Sequence, residues 1–266
     1  MHRSGACAAA IFFAATATAF SAGLVDAVNA RDAGAPGWRR VRVDIVDGGR
    51  VSRSFLVVNL WRRDGVESRM LFLLEAPEGL AGTSYLEIER AGAGDAGELE
   101  VFLSLPTSGG RVLTIREEDL GDGLLGSDFT YADLRMLLPR SGVTWKSAGA
   151  SRLEGRAVTM LDGVAHPGAP VPWQRARFYI DPSIAFVVGV DYFAGSSAAP
   201  VKRMRVERMR RIDGVWTAEE MTMTAAGGRL TRITLLEARF HQPHANAAAF
   251  EPAALPNVRA MIGGAP

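Results

Sequence analysis

The sequence predicts a mainly β protein in which short strands follow one another in a meandering antiparallel sheet. About eleven segments alternate apolar and polar side chains with a period of two, which is typical of strands that bury one face. Asp-Gly and Gly-Gly pairs separate many of these segments, as at Asp64-Gly65 and Gly227-Gly228, and such pairs favour hairpin turns. Strands do not alternate with helical segments, which disfavours a parallel α/β fold.

The expected strands differ in how many of their faces are apolar. The middles of two strands, Phe55–Trp61 and Met70–Leu74, are apolar on both faces, so both sides of the sheet must be covered there. One helix is expected over Thr130–Leu138, with Asp128 or Thr130 as its N-cap. The strands expected from the pattern are Trp38–Val46, Val51–Arg63, Val66–Ala76, Glu98–Leu105, Arg152–Leu161, Ala176–Asp181, Ala185–Phe193, Val201–Arg211, Val215–Thr224 and Arg229–Phe240.

The N-terminus has the features of a secretory signal peptide. A basic start, Met1-His2-Arg3, precedes an Ala-rich apolar stretch over Ala6–Val25, and Val28-Asn29-Ala30 offers small residues for a signal peptidase. We therefore expect a signal peptide over 1–30, a single β domain over 31–266 and export to the periplasm. The alternative is an uncleaved membrane anchor, which the weakly apolar Ala and Thr residues of the stretch disfavour.

Composition excludes several classes of protein. Lys and Arg number 30 against 29 Asp and Glu, so the net charge of +1 argues against a nucleic-acid partner. The single cysteine, Cys7, lies in the expected signal peptide. A mature chain without cysteine has no disulfide, no thiolate metal site and no cysteine nucleophile.

Catalytic and metal sites are weakly supported by the sequence. His241 and His244 flank a proline, and Glu237 is the nearest further ligand, but a zinc site needs three or four ligands in fixed geometry. Asp128 and Asp133 offer a carboxylate pair for a hydrolase, although helix capping explains Asp128 more simply. We therefore predict a protein that is not an enzyme, with no catalytic residue, no metal site and no cofactor.

The most informative segment is Leu124-Leu125-Gly126-Ser127-Asp128-Phe129-Thr130-Tyr131-Ala132-Asp133-Leu134. From the residues alone, Gly126 permits a sharp turn, Ser127 and Asp128 cap the following helix, and Phe129 and Leu134 pin that helix to the sheet. The segment resembles a signature of the outer-membrane lipoprotein-sorting family, the LolA/LolB-like carriers, which reads Gly-Ser-Asp-Phe-Ser-Tyr-Glu-Asp-Leu. The departures are Thr130 for Ser and Ala132 for Glu.

The resemblance implies a strongly curved antiparallel half-barrel that is closed by a few short helices and holds acyl chains in an apolar space. It also implies a membrane transporter of the resistance–nodulation–division (RND) type as partner. Our hypothesis is that the Thr130–Leu138 helix is part of the lid over this space or packs beside it. The alternatives are a structural or adaptor protein of the cell envelope with a filled core, or a hydrolase. The expected lid residues are Gly126, Ser127, Asp128, Phe129, Tyr131 and Leu134, and the expected cavity lining is Leu56, Val58, Leu60, Met70, Phe72 and Leu74, which would equally serve as ordinary core.

Overall fold

The computed structural model describes residues 23–30, 36–65, 67–90, 98–116, 123–130, 133, 138, 142–169, 171, 173–241 and 247–262. Within these residues the chain is mainly β and antiparallel, as predicted, with thirteen strands rather than about eleven. The strands are β1 (Gly37–Asp47), β2 (Arg50–Asp64), β3 (Glu67–Ala76), β4 (Ser84–Arg90), β5 (Glu98–Ser104), β6 (Val112–Ile115), β7 (Val143–Leu153), β8 (Arg156–Ala165), β9 (Arg175–Asp181), β10 (Phe186–Phe193), β11 (Lys202–Ile212), β12 (Val215–Ala225) and β13 (Leu230–Phe240).

The chain forms two compact units, one from Met1–Arg31 and Met136–Arg203, and a larger one from Asp32–Arg135 and Met204–Pro266. In the larger unit the strand order is β6-β5-β4-β3-β2-β1-β13-β12-β11. The first and last strands of that unit's sequence, β1 and β13, therefore pair side by side. In the smaller unit the order is β10-β9-β8-β7, so consecutive strands are neighbours.

The hairpin over β7 and β8 corrects one predicted strand. Arg152–Leu161 was expected to be continuous, but the chain turns at Glu154 and Gly155, whose φ angles are 49° and 83°. Two consecutive positive φ angles match the right-handed twist of a tight hairpin. The prediction was wrong because Glu-Gly is a weaker turn signal than the Asp-Gly pairs elsewhere.

Strand β4 was not predicted, and strand β6 was not predicted from the periodic pattern. Ser84 to Ile88 of β4 are all buried, so the strand lacks the alternation that identifies a half-exposed strand. It also carries a buried carboxylate, that of Glu87, which accepts a hydrogen bond from the Tyr85 hydroxyl at 3.1 Å. Strand β6 has only four residues, too few for a periodic pattern.

The helical segments are short. Residues 23–30, within the expected signal peptide, form helix α1, and Val258–Met261 forms helix α2. In the described part of the chain, no helix is both long and apolar enough to span a membrane. The remaining helical segments among the described residues are 3₁₀ turns at Glu78–Leu80, Pro106–Ser108, Leu124–Gly126, Ala247–Phe250 and Pro252–Asn257.

Candidate functional site

Strands β2 and β3 present one surface that is packed by the C-terminal segment. Paired residues of an antiparallel hairpin share a face, and Val58 pairs with Leu73 while Leu60 pairs with Leu71. We call the surface formed by these four buried residues the C-terminal face. They belong to one apolar cluster with Ala249, Phe250, Leu255, Val258 and Ile262.

Hydrogen bonds fasten the C-terminal segment to this face. The Arg69 guanidinium donates to the Phe250 carbonyl oxygen at 2.7 Å and to the Glu251 carboxylate at 2.6 Å. The Ser84 hydroxyl, which is fully buried, donates to the Leu255 carbonyl oxygen at 2.9 Å. The C-terminal face is therefore filled by the protein's own side chains and held at two points along the segment.

The opposite surface of the same strands carries Phe55, Val57, Phe72 and Leu74, all buried. Val57 pairs with Leu74, and Phe55 lies two residues earlier in β2. We call this surface the signature face, because Arg53, two residues before Phe55 on the same side of β2, donates hydrogen bonds to the carbonyl oxygens of Leu125 and Gly126 at the start of the signature segment. Both sides of β2 and β3 are thus covered in their middles, as predicted from their apolar residues.

The six residues expected to line a cavity do not share a surface. Leu56, Val58 and Leu60 lie on the C-terminal side of β2, where Val58 and Leu60 are part of the packed cluster. Met70, Phe72 and Leu74 lie on the signature side of β3. From Val57 to Asp64 the register pairs even-numbered residues of β2 with odd-numbered residues of β3. Leu56 lies two residues before Val58 and so on the same side of β2, which separates the two sets of three.

Arg53 and Thr231 place the signature on its face. Ile45 of β1 pairs with Arg53 of β2 on one side and with Thr231 of β13 on the other, so the three residues lie on one surface. Arg53 reaches Leu125 and Gly126, and Thr231 reaches Asp128. The sequence motif is therefore held by two strands that are distant from it in the chain.

Asp128 forms the firmer of these attachments. Its carboxylate accepts hydrogen bonds from Arg229 Nε at 2.8 Å and from the Thr231 hydroxyl at 2.8 Å, and its backbone N–H donates to the same hydroxyl at 2.9 Å. The Asp128 side chain is 1% exposed, against 43% for Arg229. Hydrogen bonding to Asp128 raises the pKa of the Arg229 guanidinium. The prediction that Asp128 caps a helix is therefore replaced by a clamp to β13.

Gly126 is needed for the second attachment. Its φ angle is 69°, and a Cβ atom at this position would lie 2.9 Å from Arg53 Nη1. The exposed Arg53 guanidinium donates to the Gly126 carbonyl oxygen at 3.1 Å and to that of Leu125 at 3.4 Å. The predicted sharp turn at Gly126 is confirmed, and the guanidinium lies where a side chain would otherwise stand.

Thr130 and Asp133 make the reciprocal contact of a capping box. The Thr130 backbone N–H donates to the Asp133 carboxylate at 2.8 Å, and the Asp133 N–H donates to the Thr130 hydroxyl at 3.3 Å. This contact fits Thr130 as the N-cap, one of the two residues expected. Of the helix expected over Thr130–Leu138, only Thr130, Asp133 and Leu138 are described, so Tyr131 and Leu134 lie outside the described residues.

A pocket of about 480 Å³ opens beside Arg53 and Leu125. Its described lining combines apolar side chains with one guanidinium, a combination that suits a ligand with an apolar tail and an anionic head. The lining consists of Arg53, Ser54, Phe55, Pro77, Leu80 and Leu125.

Sequence reasoning missed most of this pocket. Arg53, Pro77 and Leu80 were not singled out, because a charged strand residue and a Pro-bounded turn are common surface features. Arg229 was expected only as the first residue of the strand Arg229–Phe240. One signal in the sequence could have indicated Arg53 as a site residue. It is a charged side chain that lies two positions before a strand section with two apolar faces.

The expected alternatives for chemistry have structural partners. His166 lies exposed, with Nε2 2.7 Å from the Thr144 hydroxyl, and His241 is exposed after β13, while His244 lies outside the described residues. Within the described ranges, no group of three His, Cys, Asp or Glu residues is arranged to hold a metal ion. Asp128 and Asp133 are each engaged by hydrogen-bond donors of the protein itself.

Solved structures with the same fold are known. A DUF1329 family protein from Desulfovibrio piger is 21% identical and superposes with a TM-score of 0.78, covering 90% of this chain and 99% of its own. A putative outer membrane lipoprotein-sorting protein domain from Vibrio parahaemolyticus is 18% identical with a TM-score of 0.78, covering 90% of this chain and 100% of its own. A LolA superfamily protein from Nitrosomonas europaea is 12% identical with a TM-score of 0.59, covering 82% and 92%.

The comparisons confirm the resemblance that the signature predicted. No curated protein matches the sequence. A family model with the description "Uncharacterized protein" matches residues 66–257, which include the Asp128 clamp and three of the six residues that line the pocket. The chain therefore belongs to this family of uncharacterized proteins, and its fold is that of the LolA-like, lipoprotein-sorting proteins.

Proposed function

We propose that the protein is a periplasmic carrier or chaperone that binds a lipid, or the acyl chains of a lipoprotein, non-covalently on its signature face. The observation that carries the proposal is the pocket beside Arg53, in which Phe55, Pro77, Leu80 and Leu125 offer apolar contact next to one cation. Its volume of about 480 Å³ falls within the range of roughly 300–1,000 Å³ that is typical of small-molecule sites.

The reason to bind such a ligand is the cost of exposing it to water. Burial of an acyl chain lowers its free energy by roughly 0.8 kcal/mol for each CH₂ group that leaves water. Even a short apolar pocket therefore stabilises it appreciably. The Arg53 guanidinium supplies a charge-assisted hydrogen bond for a carboxylate or phosphate head. Together these contacts favour an amphiphile over a purely polar or purely apolar molecule.

The two attachments of the signature suit a cover that opens at one end. The buried clamp of Asp128 to Arg229 and Thr231 holds one end firmly. The hydrogen bonds from Arg53 to the carbonyl oxygens of Leu125 and Gly126 are exposed, and such bonds contribute only about 1 kcal/mol each. We infer that the Leu125 end moves to admit the ligand while Asp128 stays in place, and that the freed guanidinium then meets the ligand's head group.

The proposal extends to export and to a partner. We infer that the chain reaches the periplasm through its N-terminal signal, and that an inner-membrane transporter of the RND type supplies or accepts the ligand. In this account the protein is not an enzyme, and Asp128 and Asp133 serve in structural hydrogen bonds. An adaptor with a filled core remains the alternative, and the experiments below distinguish it.

Titration of the purified protein with a dansyl-labelled fatty acid tests the proposal. We expect a saturable rise in dansyl emission, and native mass spectrometry should show co-purified lipid. The Leu80→Glu variant should weaken probe binding about tenfold, because its carboxylate enters the apolar part of the pocket. Leu113→Glu is the matched control, since Leu113 is similarly exposed and lies in β6 outside the pocket lining.

Two results would overturn the carrier proposal in favour of the adaptor. One is the absence of saturable binding together with a bare mass in every preparation. The other is equal weakening by the Leu80 and Leu113 substitutions, which would indicate binding without a defined site.

The role of Arg53 is tested by ligand charge. The Arg53→Gln variant should lose preference for a labelled fatty acid over the corresponding fatty alcohol, because only the acid interacts with the guanidinium. The exposed Arg50→Gln variant in the same strand is the control and should keep the preference. An unchanged preference in Arg53→Gln would remove Arg53 from the site.

A further inference from the structure

Helix α1, residues 23–30, is built into the fold of the smaller unit. Val25 and Val28 are 5% and 2% exposed, and Asn29 is 7% exposed. The Asn29 side-chain amide donates to the Leu138 carbonyl oxygen at 2.9 Å, and its oxygen accepts from the Leu138 backbone N–H at 3.0 Å. One side chain thus satisfies both backbone groups of a buried residue that lies 109 positions away in the chain.

Removal of this helix would leave a defect in the remaining protein. Leu138 is 2% exposed, so its N–H and C=O groups would lose their partners in a place with little access to water. The surfaces that Val25 and Val28 cover would become exposed as well. A signal peptide that is discarded after export does not ordinarily contribute such contacts, so residues 23–30 have the properties of mature protein.

The sequence offers an earlier cleavage site. Ala15-Thr16-Ala17 and Ala17-Thr18-Ala19 are two overlapping Ala-x-Ala patterns, and they follow the bulky apolar residues Ile11, Phe12 and Phe13 at short distance. A basic start, a short apolar core and an Ala-x-Ala pattern complete a signal peptide without residues 23–30.

We propose that signal peptidase hydrolyses the peptide bond between Ala19 and Phe20, so that the mature chain begins at Phe20 and keeps helix α1. Water adds a hydroxyl to the Ala19 carbonyl carbon and a proton to the Phe20 nitrogen as the bond breaks. The inference rests on the export proposed above. It moves the boundary from Ala30, as expected from the sequence, to a position before the helix.

N-terminal sequencing and intact mass of the full chain, expressed with a C-terminal tag and recovered from the periplasm, test this boundary. We expect a start at Phe20, and a start at Thr18 would equally support retention of the helix. A start at Arg31 would overturn the boundary while leaving export intact. An uncut chain that stays in the cytoplasm or membrane would overturn export as well.

Two pairs of variants sharpen the test. Ala17→Leu combined with Ala19→Leu should abolish processing, whereas Ala30→Leu, at an exposed position, should leave it unchanged.

In the processed protein, Asn29→Ala should lower the melting temperature by about 2–6 °C, and Ala27→Ser at an exposed position should not. A melting temperature unaffected by Asn29→Ala would show that the contact does not exist in the mature protein and would overturn the inference.

Discussion

The two faces of strands β2 and β3 are covered in different ways. The C-terminal face is packed by apolar side chains of residues 247–262. The signature face is covered by residues of the signature, which polar side chains hold in place. These hydrogen bonds are the buried clamp of Asp128 and the exposed contacts of Arg53. A pocket opens beside the exposed contacts. The same two strands thus support a filled core on one side and an adjustable cover on the other.

This difference indicates where a ligand can enter at low cost. Displacing the C-terminal segment would expose a close-packed cluster, and such interiors tolerate little change in volume. Displacing the Leu125 end of the signature breaks two exposed hydrogen bonds, for which water is a ready replacement. A carrier must release what it binds, so the weakly held cover is the one suited to exchange.

The largest effect is expected from a cavity in the C-terminal face. Leu71 is fully buried in that cluster, so Leu71→Ala should lower the free energy of unfolding by about 2–5 kcal/mol. Leu236→Ala, at a position 43% exposed, should change it by no more than about 0.5 kcal/mol. Urea unfolding measures both variants. Equal, small losses would mean that the C-terminal face is not the rigid side.

The clamp should come next in size. Thr231→Val keeps the shape of a fully buried side chain but leaves the Asp128 carboxylate and N–H without their hydroxyl partner. We expect a loss of about 1–3 kcal/mol in the free energy of unfolding. The exposed Thr224→Val in neighbouring β12 is the matched control. If both variants unfold at the same urea concentration, the firm end of the signature has been assigned wrongly.

The Arg53 contact should show a smaller effect. Gly126→Ala and Gly48→Ala both place a side chain at positive φ, which costs roughly 1–2 kcal/mol. Only the first also meets Arg53, since the space around Gly48 is open. Thermal unfolding should therefore show a larger decrease in melting temperature for Gly126→Ala. Identical decreases would contradict a close approach of the guanidinium.

A pH titration addresses the rim of the C-terminal face, where the smallest effect is expected. Hydrogen bonding from Arg69, and from Arg90 as well, holds the pKa of Glu67 below its ordinary value of 4.5 despite the opposing effect of desolvation. A lowered folded-state pKa means that this stabilisation is present above about pH 4.5 and is lost as the pH falls through the folded-state pKa. Stability in Glu67→Gln should therefore decline less steeply below that pH than in the wild type, with the exposed Glu78→Gln as control. A decline of the same steepness in all three proteins would contradict the assignment.

Local patterns were sufficient to predict the fold class. Alternation and Asp-Gly turns located most strands, because a half-buried strand and a tight turn are specified by neighbouring residues. Strand β4 was missed because it is buried along most of its length and so shows no alternation of apolar and polar residues. The turn at Glu154-Gly155 escaped because it depends on a conformation that glutamate seldom adopts.

The site was harder to predict because it depends on pairing between distant segments. The signature drew attention to Gly126 and Asp128, but the chain alone does not reveal that Asp128 meets Thr231 across 103 positions. The register of β2 and β3 likewise determines on which face each of the six expected cavity-lining residues lies. The pairing of Val58 with Leu73 assigns one set to the packed core and leaves Phe72 and Leu74 on the signature face.

Photo-crosslinking with a diazirine-bearing fatty acid, followed by peptide mapping, tests the central claim most directly. The carrier account predicts labels on peptides that contain Phe55, Leu80 or Leu125, and none on residues 250–262, because the C-terminal face is already filled. Labels confined to residues 250–262, or no saturable label at all, would contradict it.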